Sequence, residues 1–236
     1  MTLLFTKRGM LGSTSSIIIS WRNDKSDAII FIDGNNFYHN SRSMGIKPGS
    51  IDFDKLINFI CLEFKCNRKQ VRYYNSEPDI SDGTKKYYGA QKFFSELKKL
   101  GFIVQTRKLQ KQSNEKEINA RIKVIDDEEY CPICRPLVEN ACIQCVGRFS
   151  KKEKGIDVWI AIDMLNLCLL RNECDMCILV SGDGDFVPAL DIIKGSGKEV
   201  ASTSVYHGYS NLLREKHRFK TITEQELEGL LKQDRF

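Results

Sequence analysis

The 236-residue sequence predicts an α/β fold, with a mainly parallel sheet wrapped by helices and one small inserted segment. Three observations predict it. Short apolar runs rich in β-branched and aromatic residues alternate with longer segments whose apolar residues recur every three or four positions. The apolar runs end in turns built from Gly, Asn or Asp. The rhythm is broken once, by the polar stretch 109–153, which reads as an insertion.

Residues 1–26 precede the first strand signal. They hold Lys7, Arg8 and a short Ile17–Ile19 run, too few charges and too short an apolar run for a secretory signal, so they are expected to form a mobile N-terminal arm or an added edge strand. A cytoplasmic location follows by default. The domain proper is expected over 27–236. Ala28–Asp33 is a buried strand, and Gly34-Asn35-Asn36 turns the chain. Asp52 caps a helix to Phe64 with Leu56, Phe59, Ile60 and Phe64 on one face. Gln70–Asn75 is a second strand. Thr84 caps a helix to Leu100 with Tyr87, Ala90, Phe94 and Leu97 on one stripe; Gly101 ends it, and Phe102–Lys108 is a third strand.

After the insertion, Ile156–Cys168 fits a helix. Cys177–Val180 is the central strand, followed by a Gly-punctuated turn and a helix from Phe186 to Ile193. Glu199–Tyr206 is the fifth strand, Ser210 caps a short helix, and Phe219–Ile222 is a last extended piece. Thr223 with Glu226 forms a capping box for the terminal helix.

Hydrophobic content of 42% supports a packed core, and no apolar run approaches the roughly 18 residues of a membrane span. Net charge is +5, with 36 basic against 31 acidic residues, a mild excess consistent with nucleic acid. Nine cysteines, an odd count, argue against a secreted disulfide framework.

The acids stand in particular places. Asp33 closes the first strand, and Asp183 and Asp185 follow the central one in Ser181-Gly182-Asp183-Gly184-Asp185-Phe186. In open α/β sheets ligands sit beyond the carboxyl ends of strands, and hard divalent cations take oxygen ligands there. Turn and cap chemistry explains each acid alone. Asp157 opens a helix, where the dipole favours negative charge. Asp163 falls near that helix's apolar stripe and needs a partner or a cation.

The insertion carries Cys131-x-x-Cys134 and Cys142-x-x-Cys145, four thiolates at zinc-ligand spacing, with redox pairs or free thiols as the alternative. A structural Zn²⁺ is expected, and through this segment a partner protein or a second copy of the chain. Basic residues crowd into 85–123; Lys85, Lys86, Arg107, Lys108, Arg121 and Lys123 are candidate backbone contacts, and Tyr87 or Tyr88 a candidate base-stacking residue.

Strand-Asp33-Gly34-Asn35-Asn36, Lys154-Gly155-Ile156-Asp157 with Asp163 six residues on, and Ser181–Phe186, in this order, resemble the NYN domain, in the LabA-like branch of the PIN-like nuclease superfamily. The resemblance covers about 27–222 apart from the insertion, which lies outside the common core. It implies a Rossmann-like three-layer α/β/α sandwich and a ribonuclease site using Mg²⁺ or Mn²⁺. Asp33, Asp157, Asp183 and Asp185 would be the acidic centre, with Asn36 as its amide and Asp163 as the second helix acid. Ser210 and Leu213 match a late polar-then-apolar pattern, but where the family often carries an Asp this chain has His217, which is left out of the site. Single-stranded RNA is the implied substrate. A non-catalytic RNA- or protein-binding module, or a nuclease for structured DNA, are the alternatives.

Overall fold

The structure is a computed structural model that describes residues 25–152, 154–205 and 208–233. All but the last two residues of the expected N-terminal arm lie outside the described residues. Eight strands are described: β1 (Asp27–Asp33), β2 (Asn67–Glu77), β3 (Ile103–Lys108), β4 (Gln110–Ser113), β5 (Phe149–Lys152), β6 (Met176–Val180), β7 (Glu199–Val205) and β8 (Arg218–Ile222). Six of them form one sheet in the order β3-β2-β1-β6-β7-β8. Every pairing in it is parallel. Helices cover both faces, giving the expected three-layer α/β/α sandwich.

Alternation along the strands builds two cores. Ala28, Ile30 and Ile32 of β1 face one side, with Ile178 and Val180 of β6; Ile29 and Phe31 face the other, with Cys177 and Leu179. On the first side lie α1 (Gly34–Ser43), α2 (Phe53–Phe64) and α3 (Thr84–Lys99), which contribute Phe37, Leu56, Ile60, Phe94 and Leu97. On the second lie α6 (Ile156–Leu165) and α7 (Val187–Gly195), which contribute Ile156, Ile160, Met164, Leu190 and Ile193. Central strands buried on both faces read as unbroken apolar runs, which is why Ala28–Ile32 and Cys177–Val180 stand out in the sequence.

Three elements differ from expectation. The chain after Asp33 does not merely turn; it enters α1, capped by the Asp33 side chain accepting from the Asn36 N–H. Its Asn- and Ser-rich sequence gives no apolar stripe, so the cap and the docking of Phe37 and Ser41 hold it. β2 runs from Asn67 to Glu77, longer than 70–75, because pairing with β1 and β3 extends it into polar residues. Thr84 is the first residue of α3 rather than its cap; Gly83 holds that place at φ 113°. Elsewhere Asp52 caps α2, Ser210 caps α8 (Asn211–Lys216), and Thr223 with Glu226 forms the capping box of α9 (Glu224–Gly229).

The inserted segment pairs β4 antiparallel with β5, Gln110 opposite Lys152, around α4 (Glu115–Asp126) and α5 (Cys134–Val146). Cys131 lies just before α5, and the Cys134 N–H donates to its Sγ at 3.3 Å. Cys142 lies eight residues along α5 from Cys134, ~12 Å up the axis. The four thiols therefore do not gather, and among the described residues no group of three or more Cys, His, Asp or Glu is disposed to hold a metal ion. The Zn²⁺ site expected from the paired CxxC spacing does not fit the helical segment as it stands. The helix that runs from Cys134 to Cys145 holds the two pairs apart. Accordingly, metal analysis of the purified chain should find well under one zinc per chain. One full equivalent, lost in Cys131→Ser, would mean that the segment refolds around the ion.

His217 ends α8, buried, with Nε2 3.3 Å from Asp191 Oδ1 but neither ring nitrogen in hydrogen-bond geometry. Burial lowers its pKa, partly countered by Asp191. The folded protein therefore refuses a proton that the unfolded chain accepts below roughly pH 6.5. Stability should fall as pH drops through that value, by up to about 1.4 kcal/mol per pH unit. Urea unfolding at pH 7.5 and 5.5 should show a steeper loss for wild type than for His217→Gln.

Candidate active site

β1 and β6 are parallel neighbours, with Ile32 opposite Val180, so both strands deliver their following segments to the same edge. From β1 the chain moves to β2 and β3 on one side; from β6 it moves to β7 and β8 on the other. At such a switch point the two connections part and leave a crevice.

Asp33 ends β1 and is only 3% exposed. Its Oδ1 accepts from the Asn36 N–H at 3.0 Å and its Oδ2 from the Ser181 hydroxyl at 3.0 Å. The cap and the site are therefore one device: capping α1 fixes the carboxylate at the crevice. Asn36 Oδ1 in turn accepts from the Gly182 N–H and from Asn40 Nδ2, both at 2.9 Å, clamping α1 to the loop after β6. Gly182 is required there, since a Cβ would lie 2.2 Å from the Gly208 carbonyl oxygen. The Asp183 N–H donates to Ser181 Oγ at 3.2 Å, and Asp183 Oδ1 accepts from the Asp185 N–H at 2.9 Å.

Asp157 lies in the first turn of α6, behind Gly155 at φ 78°. Asp33, Asp157 and Asp183 line one pocket of about 350 Å³, together with Asn35, Asn36, His39, Asn40 and Gly155. None of these lining residues is a lysine or arginine. Asp185 is exposed beside it. Desolvation, and then the negative charges of Asp183 and Asp185, raise the Asp157 carboxyl above its ordinary range. Burial and like charge both disfavour the ionised form at this position. The donor set is all oxygen and carboxylate-rich, which fits Mg²⁺ or Mn²⁺ in chemistry, although the acids share a pocket without closing into a tight ligand group.

Asp163 does not join them. Six residues on from Asp157, it is turned about 240° around the helix. Its Oδ2 accepts from Arg72 at 2.9 Å and from the Tyr74 hydroxyl at 2.7 Å. It is a part-buried ion-pair partner of β2, the first of the two fates its position allowed. Ser181, Asn35, His39 and Asn40 were not singled out from sequence. The Asn36–Asn40 spacing, one helical turn, is the signal that α1 makes legible.

The predicted basic residues are dispersed. Lys86 lines a larger neighbouring cleft. The Arg107 guanidinium stacks 5.7 Å from the Trp159 ring and reaches the Lys154 carbonyl at 3.4 Å. Arg121 pairs with Glu117 on α4, while Lys85, Lys108 and Lys123 are exposed. Tyr88 is 62% exposed and Tyr87 is partly buried against it.

The NYN domain family profile matches residues 27–223. The chain belongs to the NYN domain family. That membership sets the sheet and its acidic edge within the PIN-like nuclease superfamily. A crystal structure of a Vibrio parahaemolyticus RIMD 2210633 protein of unknown function, VPA0982, is similar in fold. It has a TM-score of 0.53 at 21% identity, covering 85% of this chain and 94% of that one. A comparison with curated proteins finds no match. No helix among the described residues is long and apolar enough to cross a membrane.

The NYN clamp makes a measurable claim. Asn36→Ala leaves the Gly182 N–H and the Asn40 amide without their shared acceptor, so it should cost about 1–3 kcal/mol in denaturant unfolding.

Proposed function

We propose that the chain hydrolyses phosphodiester bonds of single-stranded RNA at the acidic pocket, as a metal-dependent ribonuclease of the LabA-like branch of the NYN family. One observation carries the reading. Carboxylates from β1, α6 and the loop after β6 meet in a pocket lined by no lysine or arginine, where burial and then the charges of Asp183 and Asp185 raise the Asp157 carboxyl. Mg²⁺ or Mn²⁺ held by Asp33, Asp157, Asp183 and Asp185 would offset that charge and supply a water of lowered pKa.

The chain's own residues do the rest. Asn36 and Ser181 hold the clamp and the Asp33 oxygens in one orientation. Asn35, His39 and Asn40 on α1 offer donors to the phosphate oxygens. Asp185, open to solvent, positions the attacking water for in-line displacement of the leaving oxygen. Lys86 and Arg107, to either side, bind flanking phosphates, so RNA affinity falls with salt.

A second reading, a non-catalytic RNA-binding module on the same pocket, draws support from the spread of the acids, which do not form a closed ligand group among the described residues. Cleavage of a labelled single-stranded RNA separates the two. Wild type should cleave with Mg²⁺ or Mn²⁺, and Asp33→Asn and Asp183→Asn should each lose on the order of 100-fold or more in rate. Equal activity in all three removes the hydrolytic reading. RNA retention without cleavage at any metal concentration favours the second.

A further inference from the structure

A cleft of about 580 Å³ opens beside the acidic pocket, and Asn35 and His39 line both. α1 is thus the partition between them. Its volume lies within the range of small-molecule sites. The two compartments differ in chemistry. The acidic pocket is walled by carboxylates and amides. The larger cleft is lined by aromatic residues: Tyr38 and His39 on α1, the buried Tyr73 in the middle of β2, and Phe93 on α3. Tyr38 is 39% exposed, and Phe93 is only partly covered by its edge contacts with Phe53 and Tyr73. Gly89, also on the α3 wall, carries no side chain into the space, and a Cβ there meets nothing within 4 Å. The polar lining residues are Asn35, His39, Asn75, Ser76 and two exposed lysines, Lys86 and Lys151, with the Asn75 amide donating to the Tyr73 hydroxyl at 3.2 Å. Lys151 is held in place by Asp82 at 2.6 Å and Ser81 at 3.0 Å, which ties the inserted segment to the cleft.

We infer that this cleft is a nucleobase subsite, receiving an unstacked base of the nucleotide next to the phosphate held at the acidic pocket. The inference rests on the RNA-hydrolase reading for its substrate and adds where that substrate's base goes. Single-stranded RNA is bound by stacking bases on aromatic faces beside cationic groups that follow the backbone. A mostly apolar, aromatic cleft with lysines only at its rim matches the base rather than the phosphate. Asn35 and His39 border both compartments, so base and scissile bond lie side by side across those two side chains and the base fixes the register of cleavage.

The test uses the full chain and a short fluorescent single-stranded RNA, with binding read by anisotropy in EDTA. Gly89→Leu fills the cleft from a position with open space and a helix-favouring side chain, so folding is retained; Tyr38→Ala removes one exposed aromatic face. Each should weaken binding by roughly 5- to 100-fold, the scale of one lost base stack. An oligonucleotide with one abasic residue at the cleavage site should bind wild type more weakly by a similar factor and lose nothing further on Gly89→Leu. With Mn²⁺ present, Gly89→Leu should raise KM and leave kcat little changed. Unaltered binding by both variants overturns the subsite even if wild type cleaves RNA. Binding that is sensitive to Gly89→Leu in a protein that cleaves nothing supports the subsite and overturns the hydrolase reading instead.

Discussion

The parallel pairing of β1 with β6 is the constraint on which the rest depends. Parallel neighbours send their outgoing segments to one edge, and here both segments begin with a carboxylate or its immediate neighbourhood. Pairing alone brings the backbones together; the amide of Asn36 sets their spacing, because it accepts from Gly182 across the crevice while remaining part of α1. Gly182 then has both backbone groups committed, its N–H to Asn36 and its carbonyl to the Ser210 N–H at 2.7 Å. Pocket geometry is thus fixed by a hydrogen-bond network in which the Asn36 amide, the Ser181 hydroxyl and the main chain hold the Asp33 and Asp183 carboxylates in place.

Gathering acids without a basic counter-group costs stability, and two dense cores offset it. The strand residues Ile29 to Ile32 and Cys177 to Val180 are all essentially solvent-free, each worth about 1.5–3 kcal/mol for the larger side chains. Burial and like charge arranged to shift a carboxyl pKa are characteristic of functional sites. Asp163 illustrates the opposite solution on the same helix: given Arg72 and Tyr74, it becomes structural, and Arg72 is in turn held in its charged form by Tyr74 and Asp163.

Much of this was legible in the sequence, for physical reasons that differ by element. Ala28–Asp33 and Cys177–Val180 declared themselves because strands buried on both faces leave no polar gaps. Asp33 and Asp183 were legible as strand-end acids, since the fold class alone puts those ends on one edge. Helix α1 was not legible: Gly34-Asn35-Asn36 carries turn chemistry, and the helix is decided by a cap and by docking, both tertiary. With α1 unseen, Asn40 and His39 had no reason to be placed beside Asp33. For Asp163 the sequence left a partner and a cation both open, because a position near an apolar stripe tells that something must meet the carboxylate and not what; Arg72 and Tyr74 do. The cysteine pairs pose another case, for their spacing is compatible with a knuckle, while the intervening residues form a helix that holds the pairs apart in this structure.

The antiparallel pairing of β4 with β5 brings the entrance and exit of the inserted segment side by side, Gln110 against Lys152. A loop whose ends are already joined changes length at little entropic penalty to the body that carries it. The NYN frame can therefore exchange, lengthen or lose everything between those two strands while β3 and α6 keep their places. Evolution is free to vary the inserted segment without renegotiating the crevice, whose lining draws no residue from it.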